Sequence, residues 1–363
     1  MIICIDCFND VEIRGAIEAI GEKGHCSLCQ KEDVFIYNSD LHKDLSTIQN
    51  MLESILRIYL PESELPDEYP VAQKKSISER LTEDWNIFAI DSAKVDRIVK
   101  VILENSLSLN DKILSEKVGI PELYNEDYLL QHSILKNYTW DKFKTSLRNF
   151  NRFHNNHFNL ELLRDLLKDA EVCIFFDTKK EFYRARVSEP SGYKPEEMGA
   201  PPNKLASPGR VNSKGQSCLY LCTDKMTTVK EIRASAFDYI TIAPFKLNRD
   251  VTVLNLSSIT HNSPFSLDSN DEKDRYIEYL INEKILHAIE KDLAKPMSRL
   301  DSELDYLPTQ YFSDFAKACG YDGVQYCSTF NKEVYNIALF DPAVGSCGDC
   351  ETIRVESIDY TLS

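Results

Sequence analysis

Cys4, Cys7, Cys26 and Cys29 form two CxxC pairs separated by 18 residues. Each pair presents two thiolates from one tight turn, and the intervening Val11 to Ile20 stretch has the length of a short helix that brings the pairs together. Four such ligands suit a tetrahedral zinc site with no open position. A closed site is structural, replacing the core that about thirty residues cannot build. A redox pair or free core thiols are the alternatives, and His25 is a substitute ligand. A further pair, Cys347 and Cys350, reads as a Gly-containing turn between strands, with a second metal as the alternative. Cys173, Cys218, Cys222, Cys319 and Cys327 sit among apolar neighbours, as small core residues do.

A second concentration of chemistry runs from Phe182 to Arg233, a polar stretch that resists assignment to regular structure. Long irregular segments in compact domains are often functional. Arg184 and Arg186 on one strand face, followed by Arg210 beside Gly209, offer guanidinium forks suited to a diphosphate or a carboxylate. Ion pairing at the surface of an acid-rich protein accounts for the same residues equally well.

The elements that must position these groups follow from the whole chain. Its 363 residues predict two or three domains. A hydrophobic share of 43% with 12 Gly and 14 Pro excludes a collagenous or wholly disordered chain. No apolar run reaches the roughly 18 residues of a membrane span, and the start lacks the pattern of a signal peptide, so a cytoplasmic location is expected. The net charge of -16 disfavours a nucleic-acid or anionic-membrane partner at long range. It leaves open a small anion held in a local basic pocket.

Leu41, Leu45, Ile48, Leu52, Ile55 and Leu56 repeat at three and four, after Ser39 and Asp40 as N-caps. Pro61 to Pro70 reads as an acidic loop, and Val95, Ile98, Val99, Ile102 and Leu103 as another helix. From 41 to 168 the pattern is helical, with no strand alternation. Strands dominate after residue 170: Val172 to Phe176, Cys218 to Cys222, Tyr239 to Ala243, Val251 to Leu256, Gly323 to Cys327 and Asn336 to Phe340. Helices are expected at 274–294 and at 309–319, the latter ended by Gly320.

The run from Gly199 to Phe245, with PGRVN, CLYLC and TTVKEIRAS, resembles the RES domain. Tyr306 to Tyr311, Gly320 to Ser328 and Asn336 to Phe340 look like the remainder of that domain. The double CxxC with the helices after it is similar to the HEPN-like extension of one branch of RES proteins. The expected architecture is therefore multi-domain α+β: a Cys4 zinc module at 1–38, an all-helical HEPN-like domain at 39–170, and a mixed α/β RES domain at 171–363 related to the ADP-ribosyltransferase fold.

The resemblance implies an enzyme that consumes NAD by breaking the nicotinamide–ribose bond, as a glycohydrolase or phosphorylase, and a toxin with an antitoxin or immunity partner. A homo-oligomer is a further expected partner state. Carried onto this chain, the family's Arg, Tyr, Glu and Ser are Arg210, Tyr220, Glu231 and Ser328. Arg184 falls at an early substrate-binding Arg, with Arg186 and Asn212 beside the same ligand. Many members carry an Arg near the Ser; this chain has none there, and Lys214 is the expected source of the missing charge. The chemistry suits these types: a carboxylate stabilises an oxocarbenium-like ribosyl cation, arginines fix the diphosphate, Tyr220 stacks on nicotinamide, and Ser328 bonds a carboxamide or ribose hydroxyl.

Two other readings stand beside this one. Arg152 and His157 fit the spacing of HEPN ribonucleases, with His157 as general acid or base and Arg152 on a phosphate, provided one helix carries both. The same segment reads as a closing helix packed by Trp140, Phe143, Leu147 and Phe150. A binding module that holds a nucleotide without catalysis is the third reading.

Overall fold

The cysteine spacing at the start of the chain becomes a small sheet closed by one helix. β1 (Ile2–Cys4) and β2 (Lys23–Gly24) both pair antiparallel with β3 (Val34–Asn38). α1 covers Val11–Ile20, as the spacing predicts, and starts where the Asp10 carboxylate accepts the Ile13 N–H. Ile3, Ile13, Ile17 and Ile36 bury their side chains between them. The coordinates are a computed structural model that describes residues 1–41, 46–103, 111–136, 138–154, 156–175, 177, 179–257, 263–266, 272–295, 302–331 and 333–358.

α2 runs over Ser46–Leu56 and buries Ile48, Leu52, Ile55 and Leu56, whereas Leu41 is exposed and Leu45 lies outside the described residues. α3 (Ile77–Glu83) opens on a capping box made by Ser76 and Glu79. α4 (Ser92–Leu103) buries the five apolar residues of its stripe. β4 (Leu60–Pro61) and β5 (Val118–Gly119) form a two-residue pairing that the helical pattern did not announce. α5 (Glu126–His132) follows.

Compactness divides the chain into two units, Met1–Asn137 with His261–Lys284, and Tyr138–Thr260 with Ile285–Ser363. This differs from the three expected domains, because α6 (Trp140–Asn149) and α7 (Leu160–Lys168) belong with the strands. The reason is in their bonds: Trp140 donates its indole N–H to Asp292, and Phe143 packs edge-on against Tyr311. α6 stops at Asn149, and Phe150, expected to pack, is 83% exposed.

The second unit is built on one nine-stranded sheet, ordered β13-β9-β7-β8-β12-β11-β10-β6, with β14 also on β9. The strands are β6 (Glu171–Ile174), β7 (Phe182–Ser188), β8 (Leu219–Cys222), β9 (Tyr239–Leu247), β10 (Val251–Asn255), β11 (Gly323–Cys327), β12 (Tyr335–Leu339), β13 (Gly345–Cys347) and β14 (Glu351–Arg354). β10 and β11 are parallel and the other pairs antiparallel. α8 (Lys225–Glu231) follows β8. α9 (Glu272–Ala294) and α10 (Leu307–Ala318) lie between β10 and β11, the crossover a parallel pair requires. Gly320, at φ 95°, ends α10 as expected.

Within Phe182 to Arg233, β7 carries the two arginines and β8 falls in the expected Cys218 to Cys222 run, whereas α8 is regular structure that the polar stretch did not announce. Side chains alternate along β8, so Leu219 and Leu221 enter the core with Phe182, Phe245 and Ile337 while Tyr220 points the other way. Among the described residues no helix is long and apolar enough to cross a membrane.

Candidate functional site

Along β7, residues two apart share a face, which places Arg184 and Arg186 together, as the sequence suggested. They line a cavity of about 530 Å³ in the second unit, together with Arg210, Asn212, Tyr220, Glu231 and Asn336. Arg184 donates through Nη1 to the Tyr220 carbonyl at 3.1 Å, while its buried Nε has no partner among the described residues. Burial, and then the neighbouring Arg186, pull its guanidinium down to about 10. It remains a cation at neutral pH, held where a ligand anion would be welcome. Arg186 donates to the Glu197 carbonyl at 2.5 Å and lies over the Tyr193 ring.

Arg210 sits on the Pro208–Asn212 loop, with its guanidinium 5.9 Å from the centroid of Tyr306. Asn212 is the hub of that loop. Its amide donates to the carbonyls of Ser207, Ser213 and Gln216, and its Oδ1 accepts the Tyr220 hydroxyl at 2.7 Å. Asn212 therefore shapes the cavity wall, with its amide already committed to the loop. Gln310 of α10 donates to the Gly209 and Asn212 carbonyls at 2.7 and 3.0 Å, a support the sequence reading missed.

Tyr220 also accepts the Val211 N–H at 3.3 Å, and burial raises its phenol well above the ordinary range. It is thus a protonated clamp on the arginine loop. Gly209 makes the close approach possible, since a Cβ there would stand 2.7 Å from the Tyr220 hydroxyl and 2.8 Å from Asn212 Oδ1. Gly209→Ala is expected to cost about 1–3 kcal/mol by overpacking, visible as a lowered thermal midpoint; an unchanged midpoint would show the loop to be pliable.

Glu231 is the last residue of α8. Its Oε1 accepts two hydrogen bonds, from Ser328 Oγ at 2.6 Å and from Asn336 Nδ2 at 2.8 Å. Neither bond uses Oε2, which leaves one carboxylate oxygen for a ligand. Ser328 is buried, is not among the residues lining the cavity, and serves by holding Glu231. Asn336, on β12 opposite Cys222, was not singled out from the sequence. Its signal was available: a lone Asn inside an apolar strand must find a partner when buried. Asn336→Ala removes a hydrogen bond to a carboxylate and is expected to cost about 1.5–3 kcal/mol, visible as a lowered thermal midpoint; an unchanged midpoint would show that Glu231 is held without it.

Other expected residues lie elsewhere. Lys214 is exposed, about 4.0 Å from Glu303, and lines a second cavity with Arg152 and Gln310 rather than the one holding Glu231. Arg152 and His157 share no helix, because α6 has ended and Asn151 Oδ1 turns the chain by accepting the Phe153 and His154 N–H groups. The His157 ring instead packs edge-on against Tyr138. Cys218 and Cys222 line the main cavity as buried residues, whereas Cys173 is exposed. Burial pushes the Cys218 thiol up to about 12, which unsuits it as a nucleophile. Cys347 and Cys350 flank the turn between β13 and β14, as expected.

In the first unit the sulfurs of Cys4, Cys7, Cys26 and Cys29 all lie within 4.8 Å of one another. The separations Cys4–Cys29, Cys7–Cys26 and Cys4–Cys7 are 3.3, 3.7 and 3.8 Å. Zn–S bonds of about 2.3 Å at tetrahedral angles require sulfurs about 3.8 Å apart, so the quartet fits the metal. Burial and neighbouring cysteines push Cys4 up to about 12 and Cys7 higher still. Burial acts in the same direction on Cys26, but the N–H groups of Cys29 and Leu28 outweigh it and bring that thiol to about 7. His25 stands apart, paired with Glu32.

A family model described as the RES domain matches residues 181–363. Among solved structures, one similar chain is in the crystal structure of the M. tuberculosis MbcT–MbcA toxin–antitoxin complex, at 10% identity and a TM-score of 0.28, covering 53% of this chain and 91% of that one. No curated protein sequence matches the chain. With half of its length matched by the family model, the chain belongs to the RES domain family.

Proposed function

We propose that this protein consumes NAD, breaking the bond between nicotinamide and ribose in the cavity around Glu231. The carrying observation is the anchored carboxylate: Glu231 lines a cavity rich in arginine, with one oxygen fixed by Ser328 and Asn336 and the other uncommitted. As the glycosidic C–N bond breaks, its electron pair leaves with nicotinamide, which becomes neutral. The ribose is left as an oxocarbenium-like cation, and a fixed carboxylate stabilises that charge without reorganising. An acceptor oxygen then bonds to the same carbon and gives up its proton.

Arg184 and Arg210 would hold the diphosphate, with Arg186 beside them. Tyr220 supports the arginine loop and offers a ring face to the nicotinamide. The family resemblance extends the reading to a cytoplasmic toxin with an antitoxin partner, on a fold related to the ADP-ribosyltransferases. The four thiolates of the first unit would hold one structural zinc. Among the described residues no feature favours the ribonuclease reading, since Arg152 and His157 share no helix.

The test is to incubate the folded chain with NAD, with and without phosphate, and to identify products by mass. Nicotinamide with ADP-ribose establishes hydrolysis, and ADP-ribose phosphorylated at the reacting carbon establishes phosphorolysis. Intact NAD in both buffers rejects the function.

A further inference from the structure

Five cationic side chains line the main cavity, Arg184, Arg186, Arg210, Arg233 and Lys295, against the single carboxylate of Glu231 among the described residues. The chain as a whole carries -16, so this surplus is local and opposite in sign to the average. The diphosphate of a dinucleotide answers two of these charges, and Arg186 is engaged by the Glu197 carbonyl and the Tyr193 ring. Arg233 and Lys295 remain. Neither side chain makes a hydrogen bond or salt bridge among the described residues. Asp305, which interacts with Lys295 through charge alone, is already paired with Arg148.

Arg233 also occupies a costly backbone position. It follows the C-cap of α8 at φ 51°, in the left-handed region that favours glycine. An arginine kept against that preference, two residues from Glu231 and on the cavity wall, points to use of its guanidinium.

Resting on the dinucleotide reading above, we infer that the cavity takes a dinucleotide bearing a phosphate monoester besides its diphosphate, of the NADP type, and that Arg233 and Lys295 hold this extra group. A phosphate monoester carries about −2 at neutral pH and three acceptor oxygens, which suits a guanidinium fork with an ammonium beside it. Inorganic phosphate entering as the acceptor has the same chemistry, and the experiment separates the two sources.

Binding and turnover of NADP and NAD are compared in phosphate-free buffer for the wild type, Arg233→Gly and Lys295→Ala. Arg233→Gly removes the guanidinium while relieving the left-handed backbone, so its thermal midpoint should match or exceed that of the wild type. The wild type is expected to bind and cleave NADP about tenfold better than NAD, and Arg233→Gly to bring the ratio near one, the loss of one charge-assisted contact. A wild type that treats the two alike or favours NAD, or a ratio untouched by Arg233→Gly, overturns the inference. If instead added phosphate accelerates NAD turnover in an Arg233-dependent way with no preference for NADP, the cations serve the acceptor and the assignment to the monoester falls. Preferential NADP binding without cleavage would uphold the subsite and reject the proposed reaction; no binding of either dinucleotide by folded protein would reject both.

Discussion

Replacing Glu231 by glutamine should reduce nicotinamide release from NAD by about 10²- to 10³-fold, the range seen when one preorganised electrostatic group is lost. The substitution keeps the shape and leaves an amide oxygen able to accept from Ser328 and Asn336, so the fold and the binding of NAD should survive. What disappears is the charge facing the ribosyl cation. Because the ground state carries little of that cation, the loss should fall on kcat and leave KM nearly unchanged. Rates of nicotinamide release and calorimetric binding of NAD decide the matter together. An undiminished rate in the folded variant would reject the carboxylate as the catalytic group.

Removal of the zinc proposed for the four thiolates should have the largest effect on stability. Structural zinc contributes on the order of 10 kcal/mol or more to small domains that fold around it. Between Ile2 and Asn38 the buried apolar side chains besides the cysteines are Ile3, Phe8, Ile13, Ile17, Leu28, Ile36 and Tyr37, a small core. Cys4→Ser, or a strong chelator, should therefore take metal content from about one zinc per chain to none, with loss of amide protection over residues 1–38. Retention should also weaken as pH falls, because metal binding requires thiolates and protons compete for them. Cys4 and Cys7, whose thiols burial pushes up, are the ones most readily protonated in the metal-free state. A metal-free wild type with the same amide protection would contradict this account.

Much of the scaffold is legible from local chemistry. Val11–Ile20 and Gly323–Cys327 appear within their expected bounds because caps, glycine turns and apolar runs agree on them. The stretch from Phe182 to Arg233 is less legible: the apolar run from Cys218 marks β8, but the two arginines of β7 and the prolines of the segment after it hide where that strand lies and ends. Glu231 and Ser328 stand out through their order in a family pattern. Their contact depends on the end of α8 meeting the residue after β11 across 97 residues of chain, which no spacing rule gives.

Asn336 was missed for the opposite reason, as one polar residue within the apolar run of β12, and Gln310 as one of several polar residues on α10; both look incidental until their burial is known. Arg152 and His157 show the converse error. Their spacing matches the ribonuclease pattern, but the side chain of Asn151 satisfies backbone donors locally and competes with the helix. Lys214 fails similarly, because closeness in sequence to the arginine loop does not aim its side chain into the cavity.

The most direct test of the central claim is the structure of the Glu231→Gln variant crystallised with NAD. Intact NAD is expected in the cavity, with its diphosphate against Arg184 and Arg210 and the nicotinamide-bearing ribose carbon beside the substituted side chain. NAD bound elsewhere, or a cavity that stays empty at saturating NAD, would contradict it.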